Sequence, residues 1–202
     1  MSSHTPEILD KKTVHQGWAK YSVLKVRLAD NEIVTRELEE HGPAVAVLPY
    51  DPARGTAIVV RQFRAPVLAA TGEATLVEAI AGLTDGQDPQ QAAIREALEE
   101  TGLRLKELNP AGCFWTMPGL STERMHLYLA EYSSSDRIGA GGGASGEHEN
   151  ISVLELSLRE LAAMADSDAL ADMKTLTLVQ TLRLRRPELF AAPSNAPEPA
   201  KA

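Results

Sequence analysis

Apolar and polar positions divide the chain into short elements. Residues 21–28 alternate, with Val23, Leu24, Val26 and Leu28 interleaved by Lys25 and Arg27, and Asp30-Asn31 supplies a turn into 32–38. Two compact apolar runs, 44–48 and 56–60, read as buried strands joined by a turn-rich connector. The clearest helix is 89–101: Asp88 can cap it, Pro89 suits its first position, Gln91 completes a capping-box-like spacing and Gly102 stops it. Residues 127–131 and 151–156 are further strand candidates around a glycine-rich stretch, while 158–164 and 174–185 read as helices. This order of elements predicts an α/β or α+β sandwich of one domain: a β extension over 1–40, the main domain over 41–190, and a Pro-rich disordered tail over 191–202.

Composition narrows the partners. Twenty Lys and Arg against 28 Asp and Glu give a net charge of -8, which argues against nucleic acid gripped through a basic face. A small anionic substrate stays open, because acidic side chains can hold a metal that carries the positive charge. Cys113 is the one cysteine, which excludes an internal disulfide framework and a Cys-rich zinc site. Residues 1–12 lack the apolar core of a signal peptide, and no run approaches the roughly 18 to 20 apolar residues of a membrane span. A soluble cytoplasmic protein with no membrane partner is expected.

Candidate chemistry gathers on the helix at 89–101. At about 100° per residue, Ile94, Ala97, Leu98 and Thr101 share one stripe, and Glu96, Glu99 and Glu100 lie together on the opposite side. A solvated acidic face is the ordinary reading of such a pattern. Like charges at this spacing repel, however, and Glu99 and Glu100 sit in the last turn, where the helix dipole disfavours anions. Arg95 precedes Glu99 by four residues, the poorer orientation for a helical ion pair. A divalent cation would turn the repulsion into binding, and hard oxygen ligands favour Mg²⁺ or Mn²⁺ over zinc.

The run from Gly82 to Asp88, followed by Arg95-Glu96-Ala97-Leu98-Glu99-Glu100-Thr101-Gly102-Leu103, resembles the Nudix box. Its second half matches at every fixed position. In its first half Asp88 stands where glutamate is usual, with six residues before Arg95; counting back from Arg95 instead places Gln87 there. The shortened spacing resembles the GDP-mannose branch of the nucleoside-diphosphate-sugar pyrophosphatases. Arg61-Gln62-Phe63-Arg64, Glu78-Ala79-Ile80-Ala81-Gly82, Met117-Pro118-Gly119 with Thr122-Glu123, and the glycines before Glu147-His148-Glu149 resemble segments of the nucleoside-diphosphate-sugar pyrophosphatases as a whole, Pro118 being shared by the ADP-ribose and GDP-mannose branches. Met173-Lys174-Thr175 resembles the Gly-Lys-Thr segment of the GDP-mannose enzymes.

The resemblance implies an α/β/α Nudix sandwich with a mixed sheet, an N-terminal β extension used for dimerisation, and metal-dependent hydrolysis of a pyrophosphate bond. It implies Glu96 and Glu100 as Mg²⁺ ligands (Mn²⁺ a possible substitute), helped by the Ala81 carbonyl, with Glu99 close by and Arg95 orienting a glutamate. Glu149 is implied as a further ligand or the general base, with Glu147 its competitor, on a mobile loop over 139–146. For substrate it implies Arg64 and Lys174 near phosphate or sugar, Gly82 and Leu83 beside them, Glu123 in the metal and phosphate network, and Trp18 near the base. Thr35, Arg36 and Glu37 resemble a segment that reaches the nucleotide of the other protomer in a homodimer. His41 stands where related enzymes often carry arginine, and His4, His15, His126 and His148 form no metal-ligand spacing. GDP-mannose is the expected substrate, giving GMP and mannose 1-phosphate; ADP-ribose, giving AMP and ribose 5-phosphate, is second. A catalytically silent nucleotide-binding regulator and an acidic docking helix are the rivals.

Overall fold

The computed structural model describes residues 5–143 and 150–191. Ten strands and four α-helices occur among them: β1 (Glu7–Gln16), β2 (Lys20–Arg27), β3 (Ile33–Glu40), β4 (Ala44–Asp51), β5 (Thr56–Phe63), α1 (Ala65–Thr71), β6 (Thr75–Glu78), β7 (Ile80–Leu83), α2 (Pro89–Thr101), β8 (Asn109–Trp115), β9 (Arg124–Glu131), β10 (Ser152–Ser157), α3 (Leu158–Asp166) and α4 (Met173–Arg185). Every element read from hydrophobic pattern is present, and α2 has the expected bounds.

A seven-stranded mixed sheet, in the order β10-β5-β4-β9-β8 with β6 on β5 and β7 on β4, forms the centre. Its one parallel pair is β4 with β9. Along β4 the side chains alternate between two cores. Val45 and Val47 pack with Ala92, Ala93 and Ala97 of α2. Ala46 and Leu48 pack with Leu158 and Leu161 of α3 and Leu178, Val179 and Leu182 of α4. Both faces of the strand are covered, which is why its sequence is an unbroken apolar run and not an alternating one. The expected α/β/α sandwich is therefore observed.

Strands β1, β2 and β3 form a separate antiparallel sheet. Its side chains are mostly exposed, Ile8, Val14 and Ile33 among them. The sheet is tied to the main domain where β3 ends: the Glu39 N–H donates to the Leu120 carbonyl (2.9 Å), and the Thr122 N–H donates to the Glu39 carbonyl (3.1 Å). The tail expected over 191–202 lies outside the described residues except for Ala191.

Two helical details differ from the sequence expectation. Helix α1 carries no buried residue and spans seven positions, so it leaves no periodic stripe to read. On α2 the buried side is Ala92, Ala93, Ala97, Glu100 and Thr101, and Leu98 is 42% exposed. The stripe is thus rotated from the one expected. Alanines let the helix lie close on β4 and β7, and Glu100 is carried inward by that approach.

Candidate active site

The site is built from the box outward. Asp88 accepts hydrogen bonds from the backbone N–H groups of Gln90 (2.9 Å) and Gln91 (3.3 Å), so it caps α2 as expected. Before it, Asp85 and Gly86 both have positive φ and the Gln87 N–H closes on the Thr84 carbonyl at 2.8 Å, a tight turn of the Asp-Gly kind. The turn directs Gln87 at Arg95, whose Nε donates to Gln87 Oε1 (3.2 Å). Of the two positions left open for the box acid, Gln87 touches the arginine and Asp88 serves the helix end.

Arg95 is the organiser of the acidic face. It donates to the Leu83 carbonyl (3.0 Å) and pairs with Glu96 (2.8 Å) and Glu99 (2.9 Å). These fixed contacts overcome the poorer helical orientation of the Arg95–Glu99 pair, because the guanidinium is held from the loop side as well. Arg95, expected to orient a glutamate, stands between Glu96 and Glu99 and touches both.

Glu96, Glu99 and Glu100 line one cavity of about 700 Å³ together with Ala81, Gly82 and Leu83. That volume is within the usual range for a small-molecule site. Among the described residues no three acidic, His or Cys side chains stand as a ready-made metal cluster. The donor set nevertheless suits a hard cation. Gly82 has no Cβ, and one built there would lie 2.0 Å from Glu96 Oε1, so the glycine is a cradle for this carboxylate beside the Ala81 backbone. Glu100 is 2% exposed, an environment that favours compensation of its charge. Oxygen-only donors of this kind fit Mg²⁺ or Mn²⁺.

A cationic wall faces the acidic helix. Arg64 and Lys174 line the cavity and converge on Glu78, which is 1% exposed. Arg64 Nε and Nη2 donate to the two Glu78 oxygens (2.7 and 2.9 Å), and Lys174 Nζ donates to Oε2. Burial pushes the Glu78 carboxyl up, but Arg64 and Lys174 outweigh it and hold its pKa below the usual glutamate value. The start of α4 is fixed to this spot: Asp172 accepts from the Thr175 N–H (3.0 Å), and Thr175 Oγ1 accepts from the Ala79 N–H (2.6 Å). Arg64 therefore commits two nitrogens of its planar fork to a buried carboxylate, and among the described residues Nη1 is its one guanidinium nitrogen without a hydrogen bond.

The third side is an unexpected carboxylate clamp. His41 Nδ1 lies 2.5 Å from Glu39 and Nε2 lies 2.6 Å from Glu123, while Ser121 Oγ donates to the other Glu39 oxygen (2.5 Å). Trp18 stacks on the imidazole with ring centroids 4.8 Å apart and remains 77% exposed. His41 thus fastens the small sheet to the main domain and gives Trp18 a platform at the cavity mouth. The resemblance placed Trp18 and Glu123 near the substrate and gave His41 only the position of an arginine in related enzymes; its partners are two and 82 residues away, and spacing alone shows only the nearer.

Burial works against the imidazolium, yet Glu39 and Glu123 prevail and raise the His41 pKa above its ordinary value. Stability from a group with a raised folded-state pKa is fully present below the unfolded value and is lost as pH rises through the folded one. The melting-temperature advantage of the native protein over His41→Gln should therefore be largest below about pH 6.5 and shrink as pH rises through and above that value. Thermal melts across this range check it; a constant difference would show that the clamp is not charge-dependent.

Two groups of expected residues stand elsewhere. Thr35, Arg36 and Glu37 are exposed on β3 and do not line this cavity. Glu147 and Glu149 lie outside the described residues. Residues 139–143, expected as the start of a mobile loop, are docked on the end of α2: Gly142 and Gly143 N–H groups donate to the Glu100 and Glu99 carbonyls (2.8 and 3.2 Å). A Cβ on Gly141 would lie 2.3 Å from the Glu100 carbonyl oxygen, so glycine permits this close approach.

An α/β/α sandwich with an acidic box helix opposite a cationic wall defines the class of protein. The Nudix domain family matches residues 40–175, and the chain belongs to that family. Among relatives, it is 36% identical over 185 residues to a GDP-mannose pyrophosphatase of Pectobacterium atrosepticum, covering 89% of this chain and 94% of the relative. It is 37% identical over 159 residues to a GDP-mannose pyrophosphatase of Cronobacter sakazakii, covering 77% and 82%. A solved structure, described as an ADP compounds hydrolase, superposes with a TM-score of 0.75 at 17% identity over 93% of this chain and 97% of that one, which shows the shared fold. Among the described residues no helix is long and apolar enough to cross a membrane.

Proposed function

We propose that this protein is a Mg²⁺-dependent pyrophosphohydrolase of nucleoside diphosphate sugars, with GDP-mannose as substrate and GMP and mannose 1-phosphate as products. The observation that carries it is the opposition, within one cavity, of Glu96, Glu99 and Glu100 to Arg64 and Lys174. A diphosphate with bound cations is the ligand whose charges match both walls. The GDP-mannose pyrophosphatase relatives support the choice of nucleotide sugar.

In this reading Glu96 and Glu100, with the Ala81 carbonyl, hold the metal. When bound, the divalent cation neutralises phosphoryl oxygens and lowers the pKa of the attacking water. Arg95 keeps Glu96 and Glu99 in place, Arg64 and Lys174 draw the diphosphate to the opposite wall, and Glu123 extends that network. Trp18 offers an exposed face on which a purine can stack. Glu149, with Glu147 as its competitor, is the proposed general base or additional ligand. Residues 41–190 form the catalytic unit in this reading, and 1–40 join two copies as a homodimer. The exposed apolar residues of the small sheet support that pairing, and Thr35, Arg36 and Glu37 would then serve the neighbouring cavity. The proposed setting is the cytoplasm.

The test is phosphate release, with a coupled phosphatase, over a panel of nucleotide sugars in Mg²⁺. GDP-mannose is expected to be the best member. Preferred cleavage of ADP-ribose would reassign the substrate, and cleavage of none would sink the reaction class in favour of a silent nucleotide-binding regulator.

A further inference from the structure

Gln62 lies on β5 two residues before Arg64 and lines the same cavity wall. It is 4% exposed, and its Nε2 has no hydrogen-bond partner among the described residues. Ile58 and Val60, on the same face of the strand, belong to the apolar core against α2. Packing alone would place another apolar side chain at 62, because a buried amide left unpaired costs stability. The polar choice points into the cavity for its explanation.

The surroundings say what the amide meets. Arg64 and Lys174 make this the wall that attracts an anion, while Glu78 occupies two nitrogens of the Arg64 fork. One free guanidinium nitrogen makes a single-point contact, which orients a phosphoryl group poorly. Alternate residues on one face of an extended chain lie about 6.6 Å apart, close enough for their side chains to converge on one such group. The backbone at Arg64 is still extended (φ -134, ψ 105), so the two side chains share a face.

We infer that Gln62 is a substrate-contacting residue, its carboxamide N–H donating to a non-bridging phosphoryl oxygen of the diphosphate held beside Arg64. Rotation about the last side-chain bond is enough to aim either end of the amide at the cavity. The inference rests on the reading of the site as a nucleotide-sugar pyrophosphatase. It adds a neutral donor to the cationic wall, and with it a second fixed point for the phosphoryl group.

The test compares Gln62→Met, of similar shape without the donor, and Gln62→Glu, which replaces the amide by an acceptor. Readouts are melting temperature, calorimetric affinity for a methylene-bridged, non-hydrolysable GDP-mannose analogue in Mg²⁺, and kcat/KM for GDP-mannose. The expected result for Gln62→Met is an unchanged or raised melting temperature with affinity and kcat/KM weakened about ten- to a hundredfold, the scale of a hydrogen bond to a charged group. Gln62→Glu should be worse than Gln62→Met in both, because a carboxylate there repels the phosphate. Unchanged affinity in Gln62→Met overturns the inference, as do parallel losses of stability and affinity in both variants, which would mark a structural role. Gln62→Glu matching the native protein overturns it too, since the amide would then be accepting a hydrogen bond, from water or a hydroxyl. These outcomes presuppose a native protein that binds and cleaves the nucleotide sugar; if it does neither, the site reading fails first and takes this inference with it.

Discussion

Replacing Glu100 by Gln is expected to abolish most Mg²⁺-dependent hydrolysis while leaving the fold intact. Glu100 is 2% exposed at the end of α2, in the same cavity as Glu96 and Glu99. Glutamine has nearly the same shape but removes the charge a cation needs. Even residues one step removed from a metal cost roughly 10- to 100-fold when mutated, so loss of a ligand should exceed a hundredfold in kcat. Glutamine keeps the size of the side chain and a hydrogen-bonding end, so the melting temperature without metal is expected to change little beside the loss of turnover. Turnover is measured against Mg²⁺ concentration, and thermal melts run alongside. An unaffected kcat would remove Glu100 from the metal site; a collapse of the melt would make it a structural acid.

The second large effect is expected at Glu78. Its carboxylate is almost fully buried and is satisfied by Arg64 and Lys174. Glu78→Gln takes away the counter-charge and turns an amide N–H toward cations. Breaking a buried pair usually costs about 3–5 kcal/mol; Arg64 is 40% exposed, so solvent recovers part of this and about 2–3 kcal/mol is expected. For a chain of this size that is a melting-temperature loss of about 5–10 °C.

The sign of the pH dependence is opposite to that at His41. Glu78 has a lowered pKa in the folded protein, so its stabilisation is present above the unfolded carboxyl value and is lost as pH falls through the folded one. The gap between native protein and Glu78→Gln should close below about pH 4. Freed from Glu78, Arg64 also loses its fixed direction, and kcat/KM should fall about tenfold or more. A variant with native stability and native kcat/KM would show that Glu78 neither supports the wall nor orients it.

These expectations separate what local pattern can carry from what it cannot. The box helix was legible to the residue because all its signals are local: the Asp88 cap, the Pro89 start and the Gly102 stop act within one turn of each end. The buried strands β4 and β5 were legible because unbroken apolar runs record coverage on both faces. Strand β8 was missed: Asn109-Pro110-Ala111-Gly112 has no strand pattern, and the segment is held by pairing with β9. Helix α2 was read with the right length and the wrong rotation, since Ala93 and Ala97 are too small to outvote Leu98 in a hydrophobic pattern, although smallness is what lets the helix sit close.

Local sequence carried the acidic face of the site: Arg95, Glu96, Glu99 and Glu100 at fixed helical offsets, in an acidic chain with one cysteine, are the pattern behind the proposal of oxygen ligands for a hard cation. Tertiary structure alone decided which residues work together across the cavity. Glu78 meets Lys174 over 96 positions of chain, and His41 meets Glu123 over 82. No periodicity records such pairs, because they form where strands and helix ends converge after the sheet has closed. The carboxylates proposed to hold a cation are written on one helix; the groups proposed to receive a substrate meet only once the fold brings them together.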